Sequence, residues 1–193
     1  MRWRSSRGSG KERQSPAWAS SIAANPLYPG ALGKSCSKLP HTANGEDRGL
    51  VALIADSGGL YALYDSRDRN HRAVKEAVRA ETGPIILPVA ILAELDYLLR
   101  VKLGIKAEIR LLEGIVKGAL TLEGFTTEDA ARCGELIEQY HDLDLGLADA
   151  SVIATAERLE VYRILAVDER DFRAVRTSRG VPLVLVPSDR AKR

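Results

Sequence analysis

The chain has few of the residues that build zinc sites, disulfide frameworks or membrane spans. Its 193 residues include two cysteines, three histidines and 5% aromatic residues. Cys36 and Cys133 lie far apart, with neither metal-site nor disulfide-framework spacing, which fits a reducing cytoplasm. The histidines are isolated and are assigned no role. No run approaches the roughly 18 apolar residues that a membrane span needs. We therefore expect a cytoplasmic protein that does not cross a membrane.

Several familiar catalytic motifs are also missing. The chain has no Walker loop, no G-x-G-x-x-G turn and no Ser-His-Asp order. A P-loop nucleotide enzyme, a dinucleotide-binding enzyme and a serine hydrolase are therefore not indicated.

The charge that is present is divided unevenly. The formal net charge is +2, yet residues 51–187 carry 17 Lys/Arg against 22 Asp/Glu, a net charge of −5. The flanking residues 1–50 and 188–193 are basic. An acidic centre is unlike a domain that coats nucleic acid by charge alone. It is compatible with carboxylates gathered around a cation.

Composition divides the chain into three parts. Residues 1–49 are rich in Ser, Gly, Pro and Arg without an apolar period, so we expect them to be disordered or loosely attached. Two other interpretations are a transit peptide, which they faintly resemble, and a translation start near Leu50 or Val51. We expect these residues to be dispensable to the chemistry. Residues 50–187 form one domain, and 188–193 are a basic tail.

Apolar runs alternate with amphipathic helical patterns throughout residues 50–187. This alternation predicts a doubly wound α/β domain with a parallel sheet of about five strands, covered by helices on both faces. The predicted strands are 50–55, 85–87, 119–122, 164–167 and 183–186. The predicted helices are 58–64, 71–81, 88–103 with Pro88 at its first position, 106–117, 126–140 and 147–159.

Two predicted strands end in an aspartate. Asp56 follows the buried run LVALIA and precedes a Gly-Gly turn, and Asp168 follows LAV in the same way. Ligands bind at the carboxyl ends of strands in open parallel sheets. The two carboxylates therefore converge if the strands are neighbours. The alternative is that each aspartate only caps the turn or helix that follows it.

Two further acids lie on predicted helices. Asp149 continues the inward face of the helix 147–159 and falls in its first turn, where the helix dipole favours an anion. A buried N-cap is the alternative. Glu94 lies at the margin of the buried face of its helix, whereas Asp96 points away into solvent. A surface acid is the alternative for Glu94.

Four carboxylates at one sheet edge repel one another unless a divalent cation joins them. Oxygen ligands without a Cys or His cluster favour Mg²⁺ or Mn²⁺ over zinc. Such a site suits phosphodiester hydrolysis without a covalent nucleophile.

The segments that carry these acids together resemble the PIN domain, specifically the VapC-type toxin nuclease of a VapBC toxin–antitoxin pair. They are ADSGGLYAL, LPVAILAELDYLL, LDLGLADASVIATAERL and ILAVDERDF. The resemblance implies a Mg²⁺-dependent endoribonuclease with strand order 3-2-1-4-5, in which Asp56, Glu94, Asp149 and Asp168 gather the metal. It also assigns a common hydroxyl position to Ser57. Asp171 assists the site or caps a turn.

The same resemblance implies partners. A small VapB-like antitoxin would lie across the site and insert a basic residue. The helices 89–103 and 106–117 would offer its docking groove and a homodimer surface, unless their leucines are simply core. RNA phosphates would meet arginines that follow the first helix and the last aspartate, and each of these is otherwise a solvated surface charge. These arginines are Arg67, Arg69, Arg72, Arg170, Arg173, Arg176 and Arg179.

Two competing hypotheses belong to other functional classes. A non-catalytic PIN-like module would bind RNA or a protein without turnover, and the intact acidic quartet argues against it. A phosphatase or receiver-type domain would use Asp56 as nucleophile. Phosphatases of that kind need a second Asp two residues on, where this chain has Gly58.

Overall fold

A parallel sheet forms the centre of residues 52–189, the part of the chain that the computed structural model describes. Its strands are β1 (Leu53–Ala55), β2 (Ile85–Pro88), β3 (Thr121–Glu123), β4 (Arg163–Leu165) and β5 (Val184–Val186). They are hydrogen-bonded in the order β3-β2-β1-β4-β5, and every neighbouring pair is parallel. The predicted α/β class and the 3-2-1-4-5 order are confirmed.

Seven α-helices connect these strands within the described residues. They are α1 (Ser57–Tyr64), α2 (His71–Arg79), α3 (Leu92–Leu103), α4 (Ile105–Val116), α5 (Thr127–Gln139), α6 (Leu147–Leu159) and α7 (Arg170–Ala174). Within the described residues, no helix could span a bilayer. The predictions for residues 1–49 and most of the basic tail lie outside the described residues.

The core lies between the central strands and their helices. All of β1 is buried, as expected for a strand that is uniformly apolar and covered on both faces. Helix α6 is buried continuously from Ala150 to Ala156 and packs against β1, β2 and α5. Its small residues allow this close packing, so the helix that carries Asp149 has a fixed position beside β1.

Three of the differences from the sequence prediction concern the segments around the carboxyl edge of the sheet. Pro88 is the last residue of β2 rather than the first of a helix, because its backbone is extended (ψ 128°) and a 3₁₀ turn, Val89–Ile91, precedes α3. The five-residue α7 was not predicted, since one turn is too short to show a period. Strand β4 ends at Leu165, two residues before the predicted end.

A candidate acidic active site

All four predicted acids line one cavity of about 370 Å³ at the carboxyl edge of the sheet. They reach it from four segments: the end of β1, helix α3, helix α6 and the loop after β4. The full lining is Asp56, Ser57, Gly58, Tyr61, Glu94, Leu98, Lys102, Asp149 and Asp168. The topology therefore brings together carboxylates separated by more than 100 residues in sequence.

Asp56 both caps a helix and lines the cavity, so the two interpretations of this residue are compatible. Its Oδ2 accepts a hydrogen bond of 3.0 Å from the amide of Gly58 at the start of α1. The residue is 5% exposed. Burial raises the pKa of Asp56 to about 6, against the opposing effect of the Gly58 amide, and the charge of Glu94 raises it further.

Gly59 lets α1 approach the strand beside β1. A Cβ atom at this position would lie 2.2 Å from the carbonyl oxygen of Leu165, the last residue of β4. Only glycine allows the helix to start so close to that backbone. This contact holds the helix N-terminus, and with it Asp56 and Ser57, against the edge of the sheet.

Ser57 links two walls of the cavity. Its Oγ donates a hydrogen bond of 2.8 Å to Oε1 of Glu94, which lies in the first turn of α3. The same hydroxyl lies 3.5 Å from Oδ1 of Asp56. Ser57 thus orients the Glu94 carboxylate toward the Asp56 side of the cavity, although Glu94 itself is largely exposed.

Asp149 occupies the first turn of α6, as the sequence predicts. Burial is the largest cause that raises its pKa to about 6, followed by the negative charge of Asp56 and then that of Asp171. Glu94 and Asp168 raise it further. The acids therefore act on one another as a crowded set of like charges.

Asp168 does not occupy the position that the sequence predicts. The register pairs Ala55 with Leu165, so Ala166 follows β4 where Asp56 follows β1. The chain has already left the sheet when it reaches Asp168, an exposed residue whose Oδ1 accepts a 3.2 Å bond from the amide of Arg170. It still lines the cavity, from a loop rather than from a strand end.

Asp171 lies in the first turn of α7 and does not line the cavity. Its carboxylate is 3.1 Å from the guanidinium of Arg170. Its charge nonetheless influences Asp149 more than those of Glu94 and Asp168 do. This position is consistent with an accessory residue at the rim.

The donor set of the cavity suits a hard divalent cation. Its candidate ligands are carboxylate oxygens, which Mg²⁺ and Mn²⁺ prefer and which alone do not make a tetrahedral zinc site. Within residues 52–189, no three His, Cys, Asp or Glu side chains converge tightly enough to form a closed metal cage. Mg²⁺ commonly retains several waters and uses one or two carboxylates. The open acidic cavity therefore fits Mg²⁺.

The predicted RNA-binding arginines do not line the cavity. Arg67 pairs with Asp65, Arg170 with Asp171, and Arg173 with Glu169 and Asp189. Arg69 and Arg72 are exposed. Contact between these residues and RNA stays a prediction.

Sequence reasoning missed three lining residues, which are Tyr61, Leu98 and Lys102. A signal for two of them was available, because Leu98 and Lys102 follow Glu94 at intervals of four residues. Residues at that spacing share one helix face. The assignment of Glu94 to the site therefore also predicts that Leu98 and Lys102 line the cavity.

A model of the PIN domain family matches residues 53–177. Ribonuclease VapC26 of Mycobacterium tuberculosis is 29% identical over 135 residues, which are 70% of this chain and 100% of that protein. The solved structure of M. tuberculosis VapC20, described as a sarcin-ricin loop cleaving toxin, superposes with a TM-score of 0.58 at 17% identity. That match covers 62% of this chain and 92% of the other.

Rickettsia felis VapBC2, solved bound to a fragment of its promoter DNA, superposes with a TM-score of 0.50 at 14% identity, over 69% of this chain and 96% of the other. Likeness at these identities shows the fold. Because the family model covers well over half of the chain, and the relatives in sequence and fold are VapC proteins, this chain belongs to the PIN domain family.

Proposed function

We propose that this protein is a Mg²⁺-dependent endoribonuclease and the toxin of a type II toxin–antitoxin pair. The observation that carries the proposal is the convergence of four carboxylates, from four segments of a PIN domain, on one cavity. The name of its relative VapC26, a ribonuclease, supports RNA as the substrate. Because the proposed substrate is cellular RNA, we expect the protein to act in the cytoplasm.

The chain's own residues divide the work. Asp56 and Asp149 would hold the cation, because they are the two most buried acids of the cavity. Glu94 and Asp168 complete the acidic set from α3 and from the loop after β4. When bound, the ion supplies Lewis acidity toward a phosphate oxygen and lowers the pKa of the attacking water. Ser57 keeps the Glu94 carboxylate oriented through its 2.8 Å hydrogen bond.

An exposed apolar face supports a protein partner. Six large side chains of the α3–α4 pair are between 47% and 75% exposed: Tyr97, Val101, Ile105, Ile109, Leu112 and Val116. Exposed apolar patches of this kind mark interaction sites. We assign this face to the antitoxin or to a second copy of the chain. The predicted spacing of Ile109, Leu112 and Val116 thus describes an outer face, since α4 buries Ala107, Leu111 and Gly114 instead.

Purified protein tests the proposal directly. We expect it to cleave RNA in Mg²⁺ and to lose that activity in EDTA. Asp149→Asn and Glu94→Gln should lower the rate by more than the ~10–100-fold typical of losing an outer-shell partner of a metal. Asp96→Asn is the matched control, because Asp96 also lies on α3 but does not line the cavity. Sequencing of RNA ends, after expression of wild type beside Asp56→Ala, would locate the cleaved bonds.

Persistent cleavage in EDTA would refute the proposed mechanism. A second candidate is the non-catalytic module, and the lack of a closed three-ligand cage within residues 52–189 favours it. It predicts RNA or protein binding without turnover, and no Mg²⁺ uptake by isothermal calorimetry. A calorimetric Mg²⁺ signal in wild type that is absent from Asp149→Asn would argue against this candidate.

A further inference from the structure

The acidic cavity has a second end with different chemistry. Besides the four carboxylates, its lining includes an aromatic ring, an aliphatic side chain and an ammonium group: Tyr61, Leu98 and Lys102, hereafter the arm. No residue of the arm is suited to bind a metal cation. The arm therefore has no part in the metal site described above.

Helix geometry gives the direction of the arm. Glu94, Leu98 and Lys102 are one turn apart on α3, so Lys102 lies about 12 Å along the helix from Glu94. Tyr61 lies one turn into α1 from Ser57. Helices α1 and α3 pack against each other. The arm is thus a groove between two helices that leads away from the carboxylates.

The ring of Tyr61 is held in place. Its hydroxyl donates a 3.2 Å hydrogen bond to Oδ2 of Asp65, and Oδ1 of the same carboxylate accepts bonds from the backbone and side chain of Arg67. The ring is half-buried and lines the cavity. A rigid aromatic face binds a planar group at a low cost in conformational entropy.

Among the described residues that line the cavity, only Lys102 carries a positive charge. It is exposed, and within residues 52–189 it forms no ion pair. The neighbouring Arg100, in contrast, pairs with Glu108 at 2.5 Å. The ammonium of Lys102 is therefore available to an anion that enters the groove.

We propose that the arm is a subsite for one nucleotide of single-stranded RNA beside the scissile bond. The base stacks on Tyr61 with Leu98 on the opposite wall, and a flanking phosphate pairs with Lys102. Stacking of a base on an aromatic side chain needs an open base face, which an unpaired strand offers and a duplex does not. This inference rests on the proposed ribonuclease function, because it names the conformation of the substrate.

Equilibrium binding tests the subsite without turnover. A dye-labelled single-stranded octaribonucleotide is titrated with full-length Asp149→Asn protein, and anisotropy is recorded over a range of salt concentrations. Adding Tyr61→Leu should weaken binding roughly tenfold with an unchanged salt slope. Adding Tyr61→Phe should retain most of the affinity because the ring remains.

In the same assay, the contribution of Lys102 is measured by the salt dependence of binding. Lys102→Gln should lower the slope of log K against log salt by about 0.7, the value for one phosphate contact on a single strand. Lys102→Arg should restore the slope. Lys106→Gln is the matched control, because Lys106 is an exposed lysine that does not line the cavity. An octamer in duplex form should compete poorly with the single strand.

The subsite is wrong if both Tyr61→Leu and Lys102→Gln bind like the parent, or if duplex RNA competes as well as single-stranded RNA. Cleavage by wild type in Mg²⁺ is assayed separately. Cleavage combined with unchanged binding in both variants overturns the subsite and leaves the nuclease. Binding that depends on Tyr61 and Lys102, without any cleavage, overturns the nuclease and supports the subsite.

Discussion

Two buried aspartates at helix N-termini differ in their electrostatics. Asp129 is 2% exposed and Asp56 is 5% exposed. Burial alone would raise both pKa values. For Asp129, hydrogen bonds from Arg158 and from the amide of Thr126 outweigh burial, so its pKa is lowered. The pKa of Asp56 is raised to about 6. The difference is a cation, since the guanidinium of Arg158 lies 2.9 Å from Asp129.

The contrast extends to the rest of the described chain. Arginines accompany carboxylates outside the cavity: Arg158 also pairs with Glu123, Arg132 with Glu157, and Arg163 with Glu81. Within residues 52–189, none of the four cavity acids forms an ion pair. Structural carboxylates therefore receive their counter-charge from the chain. The four cavity acids have no such ion-pair partner among the described residues, and this supports the proposed cation as their counter-charge.

The largest expected difference comes from removing one cation near a structural carboxylate and one cation that lines the cavity. Arg158→Met leaves the buried Asp129 without its partner and should cost about 3 kcal/mol of unfolding free energy, a fall of about 10 °C in Tm. Lys102→Met removes an exposed, unpaired lysine and should change the free energy by no more than about 0.5 kcal/mol. Thermal denaturation followed by circular dichroism measures both. Equal losses would mean that Lys102 also serves a structural carboxylate.

The second test changes the backbone packing that positions Asp56. The cavity acids depend on this packing because they form no ion pairs within the described residues. Gly59→Ala places a methyl group 2.2 Å from the Leu165 carbonyl oxygen, so α1 must move away from β4. We expect a loss of about 2 kcal/mol, typical of overpacking, together with loss of RNA cleavage.

Gly58→Ala is the matched control for this position. The nearest atoms to its new methyl group are Oδ2 of Asp56 at 3.2 Å and a methyl carbon of Val167 at 3.4 Å, and both belong to side chains rather than to the backbone. Its effect on Tm should be clearly smaller. If the two variants melt together, the close approach at Gly59 does not fix the site.

Most of the fold follows from short-range signals in the sequence. Helix α6 matches its predicted bounds, Leu147–Leu159. The Thr126–Asp129 pair forms a capping box at the start of α5, close to the predicted start of that helix at residue 126. The error at Asp168 has a physical cause, because an apolar run shows burial and does not show where pairing stops: Ala166 is buried although it lies beyond β4.

The site was predictable only in part. The four acids could be picked out by their place on strand ends and helix faces, with the family resemblance. Which cations were free could not be predicted, because an arginine's partner depends on the packing of distant segments. Arg163 and Glu81, for example, are 82 residues apart and lie 2.6 Å from each other. The spacing of Lys102 from Glu94 places both on one face of α3, but that spacing does not show whether the lysine has an ion-pair partner.

The smallest expected effect is on the pH dependence of stability, which should have opposite signs for the cavity acids and for Asp129. The pKa values of Asp56 and Asp149 rise from an ordinary value of 3.8 to about 6 on folding. The native state therefore binds these protons more tightly than the unfolded state. In EDTA, the stability that they contribute is fully present below pH 3.8 and is lost as the pH rises through 6. Asp129, with its lowered pKa, behaves oppositely: its contribution is present above pH 3.8 and is lost on acidification below it.

Asp149→Asn should accordingly raise Tm by a few degrees at pH 7 in EDTA, corresponding to about 1 kcal/mol, because it removes one of the crowded charges. Asp129→Asn should lower Tm at the same pH. Adding Mg²⁺ at pH 7 should stabilise wild type by mass action and leave Asp149→Asn nearly unchanged. A fall in Tm for Asp149→Asn in EDTA would show that this carboxylate already has a counter-charge within the chain. The contrast between carboxylates that pair with arginines of this chain and cavity acids that do not would then be wrong.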